Sequence, residues 1–205
     1  MFDMSNIHPQ ELSSLYCGTM GLEVGHMESE AEQRWLCDKF QEVKQQPLEA
    51  SVKRSLAIEM LKSQAFDNFL ATKFQSVKRY GGEGAEAMMG FFTKLFHQAQ
   101  ADNIEDIIIA EAHRGRLNIL TGLLGFPPVA MFRKMKGLPE FPPEQAGAGD
   151  VLSHLTASLD IGACHVTMLP NPSHLEAVNP VAVGKTRARH MSRALGEYSA
   201  QGDQR

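Results

Sequence analysis

Cysteine is scarce in this 205-residue chain. Cys17, Cys37 and Cys164 lie far apart and show no C-x-x-C spacing, which excludes a disulfide framework or a cysteine zinc site and fits a reducing compartment. All three are expected as small buried hydrophobes. No stretch approaches the ~18 consecutive apolar residues of a membrane-spanning helix. None of the eight histidines stands in an H-E-x-x-H pattern, so the corresponding zinc hydrolase chemistry is excluded. With a net charge of −4 there is no dominant basic field for phosphates, which argues against general nucleic-acid binding. The start, Met1 to Asn6, lacks both the basic segment of a secretory signal and the Arg-rich, acid-poor character of a transit peptide. Internal repeats and low-complexity tracts are also missing.

What is present suits a globular domain. Hydrophobic residues make up 43% and charged residues 21%, enough apolar material for a buried core, with one domain favoured over two. The first sixty residues are acidic on balance, whereas Lys185, Arg187, Arg189 and Arg193 cluster near the end. Trp35, Leu36, Phe40 and Val43, then Leu56, Met60, Leu61, Phe66, Phe69 and Leu70, recur at helical spacing. A glycine-broken loop, Lys78 to Gly84, follows. Met88, Met89, Phe92, Leu95 and Phe96 then mark an amphipathic helix. Ile107 to Ala110 reads as a buried parallel strand and Leu117 to Leu124 as a helix. Residues 138–150 form a loop, His165 to Leu169 a second strand, and residues 173–194 a long helix. The order of elements gives an α/β fold. The boundaries read 1–77 for a helical N-terminal segment, 78–195 for an α/β domain and 196–205 for a frayed tail.

The most informative point is His113-Arg114-Gly115-Arg116, where a buried strand ends. Open α/β sheets bind ligands beyond the carboxyl ends of their strands. The next helix start offers N–H groups to an anion, Arg114 and Arg116 carry forks suited to carboxylate or phosphate, and His113 can carry a proton near neutral pH. A solvated basic turn explains the same residues equally well. Ser173-His174-Leu175-Glu176 fits a capping box after the Asn171-Pro172 turn. It is either a plain helix start or a second anion-facing one. A lone His154 is by itself more often structural. Gly184-Lys185-Thr186 is no P-loop, because Asn179 stands where the first glycine belongs. Gly82 to Ala87 has no strand before it and is no dinucleotide fingerprint.

Several of these stretches, in this order, resemble the first, decarboxylating component of the 2-oxoglutarate dehydrogenase family. They are Phe69 to Phe74, Lys78 to Gly84, His113 to Asn118, Gly149 to Val151 with His154, Asn171 to Glu176 and Ala177 to Pro180. Ala85 to Phe92 and Met131 to Gly137 resemble the 2-oxoadipate dehydrogenase branch in particular. The likeness covers roughly residues 30–190. It implies an incomplete thiamine-diphosphate-binding, transketolase-like domain with a parallel sheet, preceded by a helical segment. The implied reaction is oxidative decarboxylation of a 2-oxo acid, 2-oxoadipate or 2-oxoglutarate, with the acyl group passed to a lipoyl-bearing acyltransferase subunit. The cofactor carries the hard electronic step, and the protein orients, shields and moves protons.

By the same resemblance His113 and His154 are catalytic. Arg114 contacts cofactor diphosphate and substrate carboxylate, and His154 also binds substrate. Ser173 meets substrate and cofactor, and His174 and Leu175 face the cofactor. Homodimers and a mitochondrial location are implied as well. Two departures stand out: Glu111 introduces an acid beside the expected anion site, and the loop from Leu159 to Cys164 is shorter than in the family. The family's Gly-Asp…Asn magnesium motif does not occur before Arg205, so no metal ligand is assigned within the chain. The expectation is therefore a gene-model fragment or truncated isoform that binds cofactor poorly. The alternative is an inactive form that keeps only a subunit-interaction surface.

Overall fold

The computed structural model describes residues 8–10, 13, 17–142, 144, 151–170 and 174–194. The chain forms two compact units, Met1–Lys53 and Arg54–Arg205. In the first, helix α1 spans Glu30–Gln45. The Ser29 hydroxyl caps it by accepting the Glu32 N–H at 3.3 Å, and Glu30, Glu32 and Lys44 complement the helix dipole. The periodicity predicted this helix correctly. Its apolar stripe is not buried, however, and Trp35 is 59% exposed.

Helix α2, Ala50–Lys73, leads into the second unit, followed by α3, Ala87–Ala101, strand β1, Asp106–Ile109, and the short helices α4, Arg116–Gly122, and α5, Pro128–Met135. A single 3-10 turn, Leu152–His154, precedes the hairpin of β2, Ala157–Ile161, and β3, Cys164–Met168. Helix α6, Leu175–Ala194, then packs against β1. Arg193 pairs with Glu105 and Asp106 at the start of that strand. No helix among the described residues is long and apolar enough to cross a membrane.

The sheet runs β1-β3-β2. β1 and β3 are parallel, in register from Asp106↔His165 to Ile109↔Met168. β2 is antiparallel to β3, so the sheet is mixed and the expectation of a parallel sheet is corrected. The reason lies in the short connection Gly162-Ala163. Gly162 takes φ 62°, the glycine-first pattern of primed two-residue hairpin turns, and only an antiparallel partner can be reached so directly. The resemblance implied a shortened loop from Leu159 to Cys164, a stretch bordered by Ser158 and interrupted by Asp160. In the fold they simply face outward from a half-buried edge strand.

Alternating residues of β3, namely Cys164, Val166 and Met168, are buried. They pack in one core with Leu70, Met89, Phe96, Ile109, Leu117, Leu120, Met131 and Leu155. Each large side chain removed from water there contributes roughly 1.5–3 kcal/mol. The methionine and phenylalanine stripe of α3 serves this core through Met89 and Phe96, while Phe91 is 61% exposed. The cysteines differ from expectation. Cys164 is buried and its thiol is pushed up by burial and then by Asp106, but Cys37 is only partly covered and Cys17 is exposed.

Candidate active site at the carboxyl ends of β1 and β3

The chain leaving β1 passes Glu111 and turns at His113 and Arg114, both exposed. Gly115 follows in the left-handed region at φ 73°. A Cβ at Gly115 would run into Met88 Cε and come within 3.4 Å of Gly82 Cα. Its N–H donates to the carbonyls of Tyr80 and Gly81 at 3.0 and 2.9 Å. The Arg114 Nη1 donates to the Glu83 carbonyl at 2.9 Å. Below, Gly82 N–H donates to buried Asp67 at 2.9 Å, and Asn118 Nδ2 donates to Asp67 Oδ1 and Ser63 Oγ at 3.0 and 2.7 Å. Burial raises the Asp67 carboxyl, and the bonds from Asn118 and Gly82 only partly offset this. The turn and the Lys78 to Gly84 loop are thereby locked together. Gly115→Ala is expected to lose about 2 kcal/mol of stability by urea denaturation, from left-handed strain plus overpacking on Met88.

Arg116 does not serve as the anion fork that the sequence reading offered. It is 0% exposed. Nη1 donates to the Glu111 carbonyl at 2.9 Å, and Nη2 donates to the carbonyls of Leu155 and Leu169 at 2.6 and 2.7 Å. The helix start is also taken up in part, since Gly115 N–H bonds the glycine loop and Arg116 N–H bonds His113 O. The anion-binding expectation therefore narrows to Arg114. What Arg116 does instead is draw three chain segments together. Glu111 lies two residues before His113, Leu155 directly follows His154, and Leu169 leads toward position 173. Sequence spacing gave no sign of this role, because the three carbonyls come from distant segments.

Glu111, the acid beside the expected anion site, is partly buried. Burial pushes its carboxyl up to about 7, against the pull of Arg116, and burial pushes Arg116 down to about 10. Near neutrality this acid carries only part of its charge. Its side chain also borders a groove of about 370 Å³ that it shares with Ile109, Ala112 and Leu175. Leu175, 70% exposed, therefore stands beside the segment that carries His113 and Arg114. His174 is exposed just ahead of α6, and His154 is partly covered in the 3-10 turn. Ser173, the first residue of the proposed capping box, lies outside the described residues. Among the described residues no group of three His, Cys, Asp or Glu side chains could hold a metal ion.

The chain is 56% identical over 193 residues to the 2-oxoadipate dehydrogenase complex component E1 of Homo sapiens, a match covering 92% of this chain and 21% of that protein. The probable 2-oxoadipate dehydrogenase complex component E1 homolog of Caenorhabditis elegans is 51% identical over 194 residues, 93% of this chain and 21% of the relative. The 2-oxoglutarate dehydrogenase E1 component of Brucella anthropi is 34% identical over 183 residues, 87% of this chain and 18% of the relative. The chain thus spans about a fifth of the length of the curated relatives it matches. No family profile matches it. The resemblance read from the motifs is borne out over nine-tenths of the chain.

Proposed function

From that kinship we propose that the chain carries part of the active site of a thiamine-diphosphate-dependent enzyme that oxidatively decarboxylates a 2-oxo acid, 2-oxoadipate or 2-oxoglutarate. The observation that supports the reading is the Arg116 tie, which gathers the carbonyls of Glu111, Leu155 and Leu169, the first two close in the chain to His113 and His154, at one end of the sheet. The residues present fit one end of the cofactor. Arg114 is exposed at a strand end with one guanidinium nitrogen on a carbonyl, leaving other N–H groups for a diphosphate or a carboxylate. Leu175 supplies an apolar surface beside it.

When bound, thiamine diphosphate supplies the nucleophilic carbon that attacks the keto group. In the proposed roles Arg114 binds and orients the anionic groups, and His113 takes or gives a proton at the reacting oxygen. His154 and Ser173 hold the substrate, and His174 and Leu175 border the cofactor. A partly neutral Glu111 lets an anion approach the strand end with less repulsion than a full carboxylate would. Magnesium, a homodimeric assembly, a lipoyl-bearing acceptor subunit and a mitochondrial setting belong to the same proposal as what the family resemblance implies; the relatives' names, E1 components of dehydrogenase complexes, support an acyl-accepting partner.

A chimaera tests it, with residues 30–190 of this chain replacing the matching span of the human relative. The chimaera is expected to turn over 2-oxoadipate with thiamine diphosphate and magnesium, and His113→Ala is expected to lower kcat by roughly 10²-fold or more. A folded chimaera without turnover would overturn the function. A loss below roughly tenfold would remove His113 from proton transfer.

A further inference from the structure

The hairpin that the short Gly162-Ala163 turn creates aligns three side chains on its outer face. Asp160 and His165 are direct cross-strand partners, and Ser158 sits two residues along β2 on the same face. His165 Nδ1 lies 2.6 Å from Asp160 Oδ1, and His165 Nε2 lies 3.0 Å from Ser158 Oγ. An ionised carboxylate has no proton to give, so Nδ1 carries the hydrogen and donates to Asp160. In the neutral ring Nε2 is then the bare acceptor, and the Ser158 hydroxyl donates to it. This is the order of contacts that activates a serine: hydroxyl, imidazole base, carboxylate orienting the base. None of the three is a site residue of the proposed decarboxylation, and they lie on β2 and β3 away from the His113 turn.

We propose that Ser158 is an activated nucleophile that accepts an acyl group from small activated carboxylic esters, with His165 as its base and Asp160 as a positioning residue. Ser158 Oγ bonds to the acyl carbon and its proton passes to His165 Nε2; the leaving alcohol or phenol departs with the electron pair of the broken C–O bond and takes that proton, which returns His165 to its neutral form. Water then attacks the acyl-serine by the same route, with His165 taking the proton of water and returning it to Ser158. The sum is ester hydrolysis, with no redox partner. Among the described residues β2 is the outer strand of the sheet, so alternate backbone N–H groups point away from β3 and can donate to the developing oxyanion. Ser158 is exposed and Asp160 is 75% exposed. The site is open, which fits small esters with good leaving groups and little selectivity.

The test uses the whole chain with p-nitrophenyl acetate, following p-nitrophenolate release and locating the acetyl group by peptide mass spectrometry. Acetylation of Ser158 is expected, at a rate that falls at least tenfold in His165→Gln. Asp160→Asn is expected to slow it and Asp160→Glu to restore most of the rate, a rescue that a merely structural carboxylate would not give. In Ser158→Ala the rapid p-nitrophenolate release should vanish. These substitutions fall on an outward face, and circular dichroism checks that each variant is folded. Failure of Ser158 to acquire acetyl, acetyl stranded on His165 alone, or an unchanged rate in His165→Gln would each overturn the assignment.

Discussion

Replacing Arg116 by alanine is expected to destabilise the second unit by roughly 4 kcal/mol, the range for breaking a buried charged hydrogen-bond cluster. The guanidinium is fully buried and donates to the carbonyls of Glu111, Leu155 and Leu169. Alanine leaves three acceptors without this donor and removes the positive charge beside Glu111. Part of the loss is returned, because burial disfavours the charge itself and pushes Arg116 down to about 10. Three unmet carbonyls outweigh that return. Urea denaturation followed by circular dichroism measures the effect. Should Arg116→Ala not fold, Arg116→Lys keeps the charge and loses the fork, and it is expected to fall between the two. Wild-type stability in either variant would show that the tie contributes little.

The stability of the chain is expected to decline as pH rises from about 4.5 to about 7. Glu111 is pushed from 4.5 up to about 7 by burial, with Arg116 pulling the other way. Between those values the folded chain holds a proton that the unfolded chain has released, so each step up in pH favours unfolding. The stabilising term is complete below 4.5 and gone above 7. At 1.36 kcal/mol for each pH unit, the span corresponds to about 3 kcal/mol. Glu111→Gln keeps the shape without the titration. Its unfolding free energy should vary much less over that interval, and at pH 8 it should exceed the wild type. The same variant leaves Arg116 with its three carbonyls, so the fold is retained. A Glu111→Gln profile parallel to the wild-type one would assign the pH dependence to other groups.

Local pattern made much of this protein legible. The 3.6-residue spacing of Trp35, Phe40 and Val43 and of Met88, Phe92 and Leu95 placed the helices, and the three isoleucines at 107–109 placed β1. The order of the motifs around His113 and Asn171 carried the resemblance that the relatives bear out. These features are legible because helix period, strand composition and motif order are written in neighbouring residues.

Other features depended on residues far apart in the chain. β2 was hidden because alternation over five residues, with Ser158 and Asp160 outward, looks like a loop until a partner strand is known. The same pairing sets His165 between Ser158 and Asp160, a juxtaposition invisible in the linear order. Arg114 and Arg116 read alike in sequence, yet one lies in solvent and the other is sealed among carbonyls contributed from positions 111, 155 and 169. The residue types and the helices were thus determined by the sequence itself. Which arginine can meet an anion, and which acid titrates near neutrality, was decided by tertiary burial, because desolvation and hydrogen-bond partners are properties of the packed neighbourhood.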